Sequence, residues 1–235
     1  MRNDQEVATR PVRLICITGI DGSDKTPLAH RLVQHLRERG YDARYVHGVL
    51  RRNLLLGPVR RLVRALFLRG TDVRTDYRHY RTVMVSASHR HALLSALYGA
   101  VWFLNYCLEA FFPITLPVLR GKIVVADRYI YDIILRIALA TGRPVTGLSR
   151  LLALFFLTNA KPDLVFFVDT PAEIAFQRKP EVHSMEHLQE RRDCYLLMAK
   201  SYRFHVLDGK DTLDELINEI LAHCFESICL AAPAQ

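Results

Sequence analysis

The run Gly19-Ile20-Asp21-Gly22-Ser23-Asp24-Lys25-Thr26 joins a β-prone stretch, residues 12–18, to a segment with helical periodicity, residues 25–39. In that segment Leu28, Leu32, Val33 and Leu36 fall on one face. A strand that ends in glycines and re-emerges as a helix has the pattern of a phosphate-binding loop. The loop's backbone N–H groups and the helix dipole attract an anion, a lysine reaches the outer phosphates, and a hydroxyl meets Mg²⁺. Lys25 and Thr26 stand at the last two positions. At position 24, where glycine is usual, the chain has aspartate. Aspartate tolerates left-handed backbone better than most residues, but its carboxylate introduces negative charge. Pointing inward it repels a triphosphate; pointing to solvent or toward Mg²⁺ it costs less. Pro27 sits where a helix tolerates a missing N–H.

At 235 residues and 50% apolar, the chain is long enough for one substantial domain and short for two. The expected division is a polar tail at 1–11, a domain at 12–226 and a short tail at 227–235. No signal-peptide core stands at the start, so a cytoplasmic protein is expected. Cys16, Cys107, Cys194, Cys224 and Cys229 lack metal-ligand spacing and are odd in number, which favours free thiols over a disulfide framework.

The formal net charge of +8 suits a chain that attracts anions. Residues 51–69 alternate arginines with leucines and valines. This basic amphipathic segment reads as a solvated helix face, a steering surface for phosphates, or a contact for membrane or nucleic acid. No nucleic-acid motif accompanies it, so no stable nucleic-acid partner is expected. Residues 92–119 are strongly apolar but are interrupted by Asn105, Glu109, Pro113 and Pro117. They are expected to form a core helix that buries a further face in a homodimer, rather than a transmembrane segment. Residues 148–157 are expected to form another buried helix.

Further apolar runs at 43–47, 122–126, 163–168 and 205–207 alternate with helical segments, the last at about 213–225. The pattern is α/β: a parallel sheet with helices on both faces. Ligands in such folds meet residues just past the carboxyl ends of the strands. Asp21, Asp127, Arg128 and Asp169 occupy those positions. Asp127 is a candidate to hold Mg²⁺ or to order Arg128, and Arg128 to clamp an acceptor phosphate or form a structural ion pair. Asp169 is a site residue or a helix cap. Arg90, between His89 and His91, is a second candidate phosphate ligand. Arg178-Lys179 lies at the entrance to a candidate lid, and Arg191 and Arg192 are further cations there.

The loop at 17–26, the strand end Ala126-Asp127-Arg128-Tyr129, the stretch from Phe167 to Arg178 and the Ser88-His89-Arg90 run together resemble the thymidylate kinase family of nucleoside monophosphate kinases, over about residues 12–225. The resemblance implies a three-layer α/β/α P-loop kinase fold with a five-stranded parallel sheet. It also implies ATP as phosphoryl donor, Mg²⁺, and transfer to a nucleoside monophosphate such as dTMP. On this basis Lys25, Asp21, Arg128 and Arg178 are the candidate catalytic residues. Gly19, Asp21, Gly22, Ser23, Asp24, Lys25 and Thr26 hold the donor; Asp21, Arg90, Arg128 and Tyr129 hold the acceptor; Thr26 and Asp127 hold the metal. The chain departs from the family at Asp24 and Pro27, in a longer interval between Arg90 and Asp127, and in fewer lid arginines. A non-catalytic nucleotide-fold scaffold, or a basic membrane or nucleic-acid binder, is the alternative.

Overall fold

Five strands, β1 (Leu14–Thr18), β2 (Ala43–His47), β3 (Ile123–Asp127), β4 (Leu164–Asp169) and β5 (His205–Asp208), form one sheet in the order β2-β3-β1-β4-β5. All four pairings are parallel. The computed structural model describes residues 12–48, 82, 86, 92–181 and 184–228. Arg90, its flanking histidines, the basic segment at 51–69 and Cys229 lie outside them. The five strand expectations hold to within about two residues at each end.

Successive strand side chains point to opposite faces, and both faces are buried. Leu14, Cys16, Val124, Ala126, Val165 and Phe167 contribute to one core. Ile15, Ile17, Ile123, Val125, Phe166 and Val168 contribute to the other. This two-sided burial explains why these strands read as continuous apolar runs. On the second face, α1 (Lys25–Glu38) packs Leu28, Leu32 and Leu36 against the sheet, joined by Ile217, Ile220 and Cys224 of α8 (Leu213–Ile228).

The first face is thicker. It carries α2 (Ala92–Ala110), a π-helical turn (Phe111–Thr115), α3 (Leu116–Leu119), α4 (Ile130–Thr141), a 3₁₀ turn (Val145–Leu148), α5 (Ser149–Phe156), α6 (Ala172–Arg178) and α7 (Met185–Tyr202). Pro113 lies in the π turn, where a missing N–H is absorbed by an already altered hydrogen-bond ladder. Phe103, Tyr106, Ala110, Ile114 and Val118 point into the core, as expected for a core helix. The other side exposes Leu104, Leu108, Phe112 and Leu119. By length and composition alone, Gly99–Leu119 is long and apolar enough to cross a membrane.

Two expectations need correction. Helix α5 is not buried throughout: Leu152 and Phe155 enter the core, whereas Leu154 and Leu157 are exposed, because an amphipathic helix can bury only one stripe on this layer. Asp169 does not cap α6, whose N-cap is Pro171 with no side-chain cap bond. Its carboxylate instead takes both arms of Arg192, at 2.6 and 3.0 Å. The four described cysteines are free thiols.

Candidate active site

The strand order places β1 and β3 side by side, while the connections that leave them run in opposite directions across the sheet, from β1 to β2 and from β3 to β4. The crevice past their carboxyl ends is therefore the switch point of the fold. The phosphate loop fills that position after β1, and Asp127-Arg128 fills it after β3.

Close packing fixes the loop's shape. Gly22 has φ +86°, and a Cβ there would lie 2.3 Å from the Ala175 carbonyl oxygen. Only glycine fits. Asp24 takes φ 54° and ψ 25°, the left-handed conformation expected of the glycine it replaces, and acts as the N-cap of α1 without a side-chain cap bond. Its carboxylate meets Nη1 of Arg178 at 2.9 Å. Arg178 also approaches the carbonyls of Gly22 and Gly209, at 3.5 and 3.4 Å. The expected lid-entrance cation thus sits on the loop itself.

Lys25 is buried, and its Nζ donates to the Ile20 carbonyl at 2.5 Å and to Ser23 Oγ at 3.3 Å. Burial, reinforced by the charge of Arg128, lowers its pKa to about 7 against the opposing pull of Asp21, Asp127 and Asp132. Desolvation dominates because the ammonium's direct partners among the described residues are neutral oxygens.

Thr26 donates to Oδ2 of Asp127 at 2.6 Å. Tyr45 Oη, at 3.1 Å, and His47 Nδ1, at 3.3 Å, also reach that oxygen from alternate positions on β2. Burial pushes the Asp127 carboxyl up, but the bonds from His47 and Thr26 and the charge of Lys25 outweigh it and hold the pKa at about 2. Oδ1 of Asp127 is buried with no hydrogen-bond partner among the described residues. An ionised carboxylate with one orphaned oxygen, next to a threonine hydroxyl at the head of the loop, suits a hard divalent cation. Among the described residues no group of three or more His, Cys, Asp or Glu side chains forms a metal cage.

Asp127 does not order Arg128; two other carboxylates do. Nη1 of Arg128 donates to Asp132 Oδ1 at 2.8 Å, and Nη2 pairs with Asp21 Oδ1. Burial lowers the Arg128 pKa, but Asp132, Tyr195 and Asp21 reverse that shift and raise it above the ordinary value. Arg128 holds φ 71°, a left-handed conformation costing about 1–3 kcal/mol for a residue with a side chain. Its N–H to the Ile17 carbonyl, at 2.8 Å, helps to fix it there.

Asp132, fully buried, is the centre of this network. It also accepts from Tyr195 Oη at 2.7 Å, Thr18 Oγ1 at 3.0 Å and the Tyr129 N–H at 3.3 Å. Asp132, Tyr195, Thr18, Tyr45 and His47 were not singled out from the sequence. The four-residue spacing of Arg128 and Asp132, and the shared strand face of Tyr45 and His47, were the available signals. Tyr129 is a correction. It is fully buried, packs edge-on against Phe155 with ring centroids 5.2 Å apart, and donates to the Ala160 carbonyl at 3.0 Å. It anchors the core instead of reaching an acceptor.

A parallel sheet whose first strand feeds a lysine- and threonine-bearing loop, with a neighbouring-strand aspartate on that threonine, defines the P-loop kinase class of α/β proteins. Within that class the chain belongs to the thymidylate kinase family, whose model matches residues 17–220. It is 24% identical over 226 residues to a thymidylate kinase of Ligilactobacillus salivarius (strain UCC118), covering 89% of this chain and 96% of the relative. It is 26% identical over 217 residues to a probable thymidylate kinase of Thermococcus onnurineus (strain NA1), covering 88% and 95%. A shorter match, to a thymidylate kinase of Fervidobacterium nodosum (strain ATCC 35602 / DSM 5306 / Rt17-B1), is 32% identical over 115 residues and covers 45% and 57%.

Proposed function

We propose that residues 12–226 form an ATP-dependent nucleoside monophosphate kinase domain, with dTMP the first acceptor to test. The observation that carries this reading is the convergence of four groups at the ends of β1 and β3: Lys25 in the loop, Thr26 on Asp127, and Arg128 held by Asp21 and Asp132. Each matches a need of phosphoryl transfer, which depends on positioning and charge neutralisation more than on covalent chemistry.

In this reading the amides at the head of α1, which lack intrahelical acceptors, receive the donor's phosphates. Lys25 turns from the Ile20 carbonyl to the outer phosphates and offsets developing negative charge. Thr26 and Asp127 hold Mg²⁺, whose contribution when bound is to neutralise charge on the phosphate oxygens. Arg128 orients the acceptor phosphate, with Arg90 as a second proposed ligand. An oxygen of that phosphate attacks the γ-phosphorus in line; the bond to the bridging oxygen breaks and ADP leaves. No protein nucleophile or strong general base is needed, since the acceptor phosphate is already ionised. A cytoplasmic homodimer, formed through the exposed stripe of α2, is the proposed setting.

The experiment is a coupled ADP-release assay with dTMP, dUMP, CMP, UMP and AMP, using Lys25→Ala as control. Transfer to at least one acceptor that disappears in the variant supports the reading; no transfer to any of them sinks it. A second reading, a non-catalytic nucleotide-fold protein, draws on the Asp24 carboxylate at the loop and predicts nucleotide binding without turnover.

A further inference from the structure

The thick face of the sheet is not packed solid. Between α2, α4, the 3₁₀ turn and α5 lies an apolar groove of about 710 Å³, within the size range of small-molecule sites. Phe103 and Leu148, both buried, form its floor, where Phe103 meets Phe155 of α5 with ring centroids 6.3 Å apart. Leu104, Leu108 and Leu154, all exposed, form its rim. Gly99 keeps the α2 wall shallow: it lines the groove, and a Cβ added there meets nothing within 4 Å. Apolar surface of this extent, concave and open to water, marks a site of interaction.

One charged side chain, Arg143, lines the groove, and among the described residues no carboxylate does. Arg143 stands between the left-handed C-cap Gly142 (φ 69°) and Pro144 (φ −65°), so the backbone fixes its place just past the end of α4. It is exposed and makes no ion pair with a described carboxylate. A second copy of the chain is a poor complement here. A two-fold contact centred on the groove would bring the same lining twice, so two arginines would lose water without gaining a counter-charge. A hydrocarbon chain that ends in a carboxylate supplies both halves of the match.

We propose that this groove binds a single-chain anionic amphiphile, a fatty-acid anion, with its chain on the Phe103 and Leu148 floor and its carboxylate on Arg143. The site is separate from the phosphate loop. Phe112 and Leu119, the remainder of the exposed apolar stripe, do not line the groove, and they are the part left for contact with a second copy.

Calorimetry on the full chain with octanoate, decanoate and dodecanoate, each below its micelle concentration, tests it. Affinity should rise about fourfold for each added methylene, as burial of hydrocarbon requires. Dodecanoate should bind about tenfold tighter than dodecyltrimethylammonium, which has an apolar chain of the same length and the opposite charge. Arg143→Gln should remove that preference and keep the chain-length dependence, and Arg143→Lys should restore part of it. Gly99→Leu fills the groove; leucine is the better helix former, so the fold should hold while dodecanoate binding weakens at least about tenfold. Dodecanoate should also slow alkylation of Cys107, a partly exposed thiol on the groove wall, read by mass spectrometry of its peptide. No binding of dodecanoate, equal binding of the two head groups, or affinity untouched by Gly99→Leu overturns the proposal. A dimer that Gly99→Leu dissociates while dodecanoate stays unbound, seen by ultracentrifugation, would give the groove to a second copy and overturn it too. Capture by phosphatidylglycerol vesicles without binding of free dodecanoate would make the face a membrane contact, with the same result.

Discussion

Asp24 and Arg178 form an ion pair, Oδ2 to Nη1 at 2.9 Å, that ties the phosphate loop to the end of α6 across more than half of the chain. The substituted carboxylate neither points into the cradle nor stands free in solvent; a cation turns it aside. Both partners are partly exposed, so the pair adds at most about 1 kcal/mol to stability. Its functional weight is larger, because it occupies an arginine that also approaches the Gly22 carbonyl of the loop.

Replacing Asp24 by glycine should release Arg178 toward the donor phosphates, and glycine accepts the left-handed backbone at this position without strain. ATP should bind about five- to tenfold tighter, the effect of removing one screened charge near a polyanion. In an Arg178→Gln background the gain should shrink, since part of it comes through the freed guanidinium. Titration calorimetry on the four proteins measures this coupling, and equal affinities for wild type and Asp24→Gly would leave the aspartate without a role in donor binding.

The parts of the site legible in the sequence are those set by backbone geometry. A strand followed by a glycine turn puts Lys25 and Thr26 in one place, and a parallel neighbour puts Asp127 and Arg128 beside them. Partnerships between distant segments were not legible. The Tyr195–Asp132 bond spans 63 residues, and no local pattern distinguishes Tyr195 from other apolar positions on α7. The same applies to Arg178, which fits a lid as well as a loop partner until α6 is packed over Gly22. Tyr129 shows the opposite case: its neighbours in sequence line the cleft, but the left-handed turn at Arg128 sends it into the core.

Lys25→Ala should lower turnover at least about 100-fold with a smaller effect on acceptor affinity, as removal of a buried electrostatic contact to the transferring group does. Steady-state kinetics measure it. Turnover unchanged by the substitution would separate phosphoryl transfer from this loop altogether.

The depressed pKa of Lys25 has a thermodynamic signature. With a folded value of about 7 and an ordinary value near 10.5, the unfolded chain binds more protons between those limits, so this residue's penalty to stability eases as pH rises through that window. Donor phosphates favour the charged ammonium. At pH 8, where free Lys25 is mostly neutral and ATP is fully ionised, ATP binding should therefore take up a fraction of a proton approaching one. Calorimetry in buffers of different ionisation enthalpy reads the uptake directly. Lys25→Arg, charged throughout, should show none; the same uptake in both proteins would assign the proton elsewhere.

Asp127 works in the other direction. Its folded pKa of about 2 lies below the ordinary value of 3.8, so its stabilising contribution is complete above about pH 4 and is lost as pH falls through 2. Asp127→Asn removes the titration while keeping the shape. The difference in unfolding free energy between wild type and variant should therefore shrink by about 2 kcal/mol between pH 6 and pH 2. The same substitution removes the charged oxygen donor that meets Thr26, so the Mg²⁺ concentration for half-maximal turnover should rise by about tenfold or more. Chemical denaturation across pH reads the first effect and a metal titration of the kinase assay the second. A constant stability difference would mean that His47, Thr26 and Lys25 do not hold this carboxylate ionised. An unchanged metal requirement would detach its orphaned oxygen from the cation.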